Sequence, residues 1–295
     1  MEVVAEKSIR IDKYLSEKTS YSRSTIQKMI DENFIKVNNK KIKSNYILRE
    51  NDLITIDESY IKEIDIKAEN IKLDIVYEDN DLIVINKPSG MVVHPGNGNI
   101  EHTLVNALMG YTPNLSSNNE DFRPGIVHRI DKDTSGLMLV AKNNKTHELL
   151  AEGFKNKTIH REYIALVIGE IINDKGIIDA PRGRDKQDRK KMCVTDENGK
   201  NAITHFKVLK RYKGYTLLKL KLETGRTHQI RVHMKYIGYP IYNDPVYTNH
   251  KCSSFGQFLH SSSIDFDHPI TNEHLHFEVD VPKEFKKFLD TLTNL

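Results

Sequence analysis

The apolar positions of the first sixty residues recur at helical spacing and then switch to alternation. Ile11, Tyr14 and Leu15 share one helical face, and Ile26, Met29 and Ile30 a second, which Ser22 is placed to cap. Phe34 to Val37, the turn residues Asn38-Asn39, and Lys40 to Ile42 predict a β-hairpin, with a further strand at Leu53 to Ile56. Residues 63–72 are charged and weakly patterned, as a linker would be. Beyond them, Asp81 to Asn86, Gly125 to Ile130 and Leu137 to Ala141 read as strands. Thr103 to Met109 reads as a short helix, and Lys145 to Lys155 as a longer one through Leu149, Leu150 and Phe154. His160 to Gly169 is a strand ending in glycine. Ile230, Met234 and Ile237 mark a last helix, which Gly238 and Pro240 end. The expected organisation is a compact module over 8–62, a linker over 63–72 and a larger domain over 73–295.

Composition narrows the class. Of the 295 residues 38% are hydrophobic, enough for the cores of two domains. No apolar run reaches 18 residues, and the opening Met1 to Lys7 is no signal peptide, so a soluble, cytoplasmic protein is expected. Cys193 and Cys252 are too few and too isolated for a disulfide framework or a zinc site. A formal charge of +3 leaves any nucleic-acid binding to local basic patches. Two stand out. Arg10, Lys13, Arg23 and Lys28 occupy exposed positions of the front module. Arg182, Arg184, Lys186, Arg189, Lys190 and Lys191 crowd a stretch with only Asp185 and Asp188 against them, a candidate phosphate-contacting loop. Residues 114–122, rich in Asn and Ser, are expected to form a mobile loop.

Candidate chemistry centres on Asp131 to Gly136, a polar hexapeptide between two apolar runs. Asp131 would come directly off a strand, where the scaffold holds it rigidly. A calcium loop would fit Asp131, Asp133, Ser135 and Gly136, but its twelfth position, normally Glu, is Lys142. A haloacid-dehalogenase-like phosphotransferase would fit Asp131, Asp133 and Thr134, yet no later acidic pair is present to hold magnesium. His228 and His233 lie five apart with no nearby Glu, unlike a zinc-binding His-Glu-x-x-His helix.

The longer string His128-Arg129-Ile130-Asp131-x-x-Thr134-Ser135-Gly136 closely resembles the active-site motif of the RluA/RluD family of RNA pseudouridine synthases. Further strings follow in the family's order: Lys87-Pro88-Ser89-Gly90, His94 to Asn99, Thr224 to Met234, Asn243 to Tyr247 and Phe258 to Ser261. The chain departs from the family at His102 and Asn243, where glycine is expected, and at Ser261, where alanine is. The front module resembles the RNA-binding module of the fourth small-subunit ribosomal protein through Ser22-Arg23-Ser24-x-Ile26-Gln27-x-Met29-Ile30.

The resemblance implies an α+β fold: a catalytic domain with a mixed, largely antiparallel sheet and a central cleft, preceded by a small α+β RNA-binding domain. It makes Asp131 the catalytic carboxylate, Arg231 its cationic partner, and Tyr163 the ring that packs on the flipped uracil. Arg129 would fill the gap left by that base or grip a phosphate. Arg10, Lys13, Arg23, Lys28, Arg189, Lys190 and Lys191 would contact RNA. The implied reaction converts uridine to pseudouridine in RNA, with large-subunit ribosomal RNA the expected substrate, by a monomer that needs no cofactor and no metal. The alternative is a non-catalytic RNA-binding or ribosome-assembly protein, and the presence of Asp131, Tyr163 and Arg231 together argues against it.

Overall fold

A computed structural model describes residues 1–19, 21, 23–60, 66–96, 99–117, 123–188, 191–248 and 253–295. The chain divides into two units, Met1–Asp65 and Ile66–Leu295. In the first, β1 (Glu2–Val4), β2 (Ile35–Val37) and β3 (Leu53–Ile56) form an antiparallel sheet with β3 in the middle. Helices α1 (Ile11–Lys18) and α2 (Arg23–Asp31) bury the six apolar residues that predicted them in one cluster with Ile35, Val37, Ile54 and Ile56 of the sheet. Ser22, the expected cap, lies outside the described residues. The expected hairpin is half formed. Asn38 and Asn39 turn in left-handed conformation (φ 48° and 60°), and Val37 bridges to Lys40, but no second arm follows. Residues 41–45 carry one apolar side chain, Ile42, so a second arm would have no alternating face to bury.

The second unit is built on one large sheet. Its strands are β4 (Ile75–Glu78), β5 (Leu82–Lys87), β6 (Ser135–Ala141), β7 (His160–Ile168) and β8 (Lys175–Asp179), followed after a separate hairpin, β9 (Arg182–Arg184) with β10 (Met192–Val194), by β11 (Ile203–Tyr212), β12 (Tyr215–Leu222), β13 (Leu259–Asp267) and β14 (His274–Glu278). The order is β4-β5-β6-β13-β7-β12-β11-β8, with β14 on β13. Among the described residues only β6 and β13 pair in parallel, so the sheet is mixed and largely antiparallel. The apolar runs of β5 and β6 are continuous because both faces are covered. Leu82, Val84, Leu137 and Leu139 share a cluster with Leu150 of α4 (Asn144–Asn156). The alternate residues Ile83, Ile85, Met138 and Val140 share one with Leu104 and Leu108 of α3 (Leu104–Tyr111).

The strand expected at Gly125 to Ile130 is absent: only Ile126 bridges, to Val140. Its place beside β6 is taken in other ways. Ala141 N donates to Gly125 O, and Leu139 N to the imidazole Nε2 of His128 at 2.9 Å. A side chain there replaces the carbonyl that a paired strand would present, so Asp131 precedes a strand rather than ending one. Residues 66–72, expected as a linker, run against α3, with Glu69 N donating to Asn106 O and Asn106 Nδ2 to Lys67 O. Of the expected mobile loop, Ser116 is buried and bonded to His147 and Ala141, while 118–122 lie outside the described residues. The two departures from expected glycine share a cause. His102 (φ 57°) and Asn243 (φ 60°) both sit in the left-handed region where glycine is the default. Each is tied down there by its own partners: His102 pairs with Glu69, and the Asn243 amide bonds to Ser253 and Gly256.

Candidate active site

The loop that carries Asp131 is gripped from two directions. Lys87 is buried, and its Nζ donates to Lys132 O, Met91 O and Pro88 O at 2.8–2.9 Å. Burial pulls this ammonium down to about 7, with Asp133 and Asp131 pulling it back up. Three carbonyl acceptors use all three ammonium N–H groups, a set that a neutral amine cannot complete. Ser89 Oγ reaches Asp133 O at 3.0 Å, and Gln257 Nε2 donates to Thr134 Oγ1 at 3.0 Å from the opposite side. The loop runs straight into β6 through Gly136 (φ 110°), where an added Cβ would lie 2.2 Å from Ser261 O. Only glycine lets β6 meet β13 at this point.

Arg231 enters from α5 (Gln229–Tyr236) and is 4% exposed. Its Nη1 donates to Asp131 Oδ2 at 2.8 Å, while Nε and Nη2 fork onto Asp244 at 2.7 and 2.8 Å. Asp244 is fully buried and also accepts from Val246 N and Tyr247 N. Burial opposes the charge on Arg231, but the hydrogen bonds and charges of Asp244 and Asp131 outweigh it and raise the group above its ordinary value. Asp131 is the open member of the trio, 19% exposed. A second chain of contacts approaches it. Met192 N donates to the Tyr247 hydroxyl at 3.0 Å, and that hydroxyl lies 2.8 Å from His228 Nδ1. Burial pushes the hydroxyl up to about 12, so it keeps its proton, and burial pushes His228 down, so the ring is neutral. Tyr247 then donates to Nδ1, which leaves the Nε2–H of His228 facing Asp131 Oδ1 at 3.8 Å.

The expected residues are thus placed unequally. Asp131 and Arg231 meet. Tyr163 is 5% exposed in the cluster that includes Ile230 and Leu259, and lies in one cross-strand row with Ser261 and Gly136, roughly 10 Å from the latter at two strand spacings. Arg129 is exposed and donates to His94 Nε2 at 3.1 Å. The expectation that it shares a strand face with Asp131 fails, since no strand forms there. Arg10, Lys13, Arg23 and Lys28 are exposed on the first unit. Lys191 is half-buried and pairs with Asp188 at 3.7 Å; Arg189 and Lys190 lie outside the described residues. The stretch expected as a basic loop begins instead as strand β9. Sequence reasoning missed Asp244, Lys87, His228 and Tyr247 as site-builders, although each stands inside a quoted motif. One trio could gather around a cation, Asp79, Asp81 and His268, but Asp79 already accepts from Asp81 N, Leu82 N and Tyr77.

A loop held from both sides that offers one partly exposed carboxylate, backed by a buried arginine, has the groups needed for nucleophilic or proton-transfer work. Comparison with known proteins gives its class. Residues 81–236 match the RNA pseudouridylate synthase family, and residues 9–54 the S4 domain. The chain is 50% identical over 289 residues to "Uncharacterized RNA pseudouridine synthase YlyB" of Bacillus subtilis, covering 97% of this chain and 95% of that one. It is 43% identical over 239 residues to "Ribosomal large subunit pseudouridine synthase D" of Pseudomonas aeruginosa, covering 76% and 73%. The solved structure of human RNA pseudouridylate synthase domain containing 1 superposes with a TM-score of 0.63 at 26% identity, covering 77% of this chain and 91% of that one. The chain belongs to the RNA pseudouridylate synthase family, an isomerase that converts uridine to pseudouridine in RNA.

Proposed function

We propose that the chain modifies uridines of large-subunit ribosomal RNA, acting in the cytoplasm as a monomer, with Asp131 as its catalytic carboxylate. The relatives named as large-subunit synthases support the substrate, and the Arg231–Asp131 contact at 2.8 Å is the observation that carries the chemistry. In the reaction the bond from uracil N1 to ribose C1′ breaks, the base turns, and C5 bonds to C1′. The proton leaving C5 is balanced by the one gained at N1, so atoms and charge are conserved. A carboxylate beside the glycosidic bond can add to the sugar, add to the base or remove a ribose proton, and each route needs it ionised. Arg231 holds that carboxylate by a 2.8 Å hydrogen bond, and Asp244 fixes the guanidinium plane. The target base has to leave the stack to reach Asp131. Tyr163 stacks on the uracil, Arg129 takes the vacated space or a phosphate, and Arg10, Lys13, Arg23, Lys28, Arg189, Lys190 and Lys191 hold the RNA. Asp131→Asn keeps the shape and removes the charge. Pseudouridine formation on ribosomal RNA from a deletion strain should then fall by roughly three orders of magnitude or more, with RNA binding intact. Retention of more than a few per cent of activity would remove Asp131 from the catalytic role.

A further inference from the structure

Strand β9 carries a guanidinium that the free protein leaves unanswered. Arg182 is 8% exposed, and neither its Nε nor its Nη1 has a hydrogen-bond partner. Its main chain is fixed on both sides. It pairs with Val194 of β10, and it exchanges two 2.9 Å backbone bonds with Lys200. The side chain therefore enters the interior from a rigid strand, unlike the exposed Arg184 and Lys186 that follow it. Its partner strand β10 leads to the site: Met192 N donates to the Tyr247 hydroxyl, which touches His228 beside Asp131. Arg182 thus stands on the hairpin that adjoins the residues around Asp131. It is no ion-pair partner of that carboxylate, which pairs with Arg231. The fold treats its other buried cations differently: Arg231 has two carboxylates and Lys87 three carbonyls. An uncompensated buried cation is costly, and a rigid strand that maintains one points to an anion supplied from outside.

We propose that Arg182 receives a backbone phosphate of the bound RNA, next to the nucleotide that reaches Asp131. The proposal rests on Asp131 being the site of the target nucleotide. Flipping a base rotates its backbone and carries the adjoining phosphates toward the protein. A uracil carbonyl would occupy N–H groups but leave the charge of Arg182 unbalanced, whereas a phosphate oxygen satisfies both. The contact sets the register of the substrate over Asp131 and reads no sequence.

The test uses the full chain as wild type, Arg182→Met and Arg182→Lys, each also carrying Asp131→Asn so that no turnover occurs. The probe is 23S ribosomal RNA transcribed in vitro, bound across a range of salt. Arg182→Met should weaken binding roughly ten- to a hundredfold and lower the slope of log affinity against log salt by about 0.7–0.9. Arg182→Lys should keep most of the slope. Without RNA, Arg182→Met should unfold about 2 °C or more above the parent, because an uncompensated buried charge has gone. An unchanged salt slope overturns the proposal whatever the unfolding midpoint does. Failure of the catalytic assignment would look different: Asp131→Asn alone would retain pseudouridine formation, while the Arg182 slope effect stood.

Discussion

In the first unit the buried member of a carboxylate–arginine cluster is the acid, and in the second it is the cation. Asp12 is fully buried and accepts from Arg10 Nε and Nη2, Arg23 Nη2 and Gln27 Nε2 at 2.8–3.1 Å. Burial pushes its carboxyl up, but the bonds from Arg23, Gln27 and Arg10 hold it well below the usual carboxylate range. Both arginines stay about half exposed, so the acid aligns two guanidinium groups toward water. Arg231 inverts this arrangement. It is buried, one of its carboxylates is buried, and the other, Asp131, faces outward. The same ion pair can therefore leave either partner open: an open guanidinium is able to hold a phosphate, and an open carboxylate is able to do chemistry.

Removing the hidden carboxylate from each cluster should break this comparison most visibly. Asp244→Asn leaves Arg231 buried and half answered, and should cost about 3–5 kcal/mol. Asp12→Asn should cost about 1–3 kcal/mol, because Arg10 and Arg23 can turn back to water. Hydrogen exchange under mild denaturant, read separately in the two units, gives both numbers. Equal costs would mean that exposure of the partners does not set the price of the loss. A smaller effect sharpens the functional half. Arg10→Gln with Arg23→Gln should leave turnover at saturating RNA nearly unchanged while lowering the salt slope of binding by about 0.7–0.9 per arginine. An unchanged slope would make that face a solvated surface and nothing more.

Much of this was legible in the chain. Helical periods marked α1, α2, α4 and α5 and alternation marked β3, while continuous apolar runs marked β5, β6 and β7. Motif strings marked Asp131 and Arg231. The strand expected before Asp131 was misread because a run of apolar residues also suits a buried segment whose neighbour is satisfied by a side chain, here His128. Asp244 was passed over because its role depends on a fork 13 residues distant from it in sequence and buried only in the fold. Arg182 was read as one more charge in a basic run. Its burial is set by the pairing of β9 with β10 and Lys200, which composition does not reveal.

The central claim is that a buried arginine holds the open carboxylate Asp131 where the reaction needs it, and single-turnover isomerisation tests it directly. Wild type, Arg231→Lys and Arg231→Met would be compared on the same ribosomal RNA, with folding verified for each. Methionine keeps the reach of the side chain and removes the group that donates to Asp131 Oδ2, so the single-turnover rate should fall steeply while RNA affinity changes little. Lysine should fall between, since it keeps a point charge but not the planar fork. A folded Arg231→Met protein with a near-normal single-turnover rate would contradict the account.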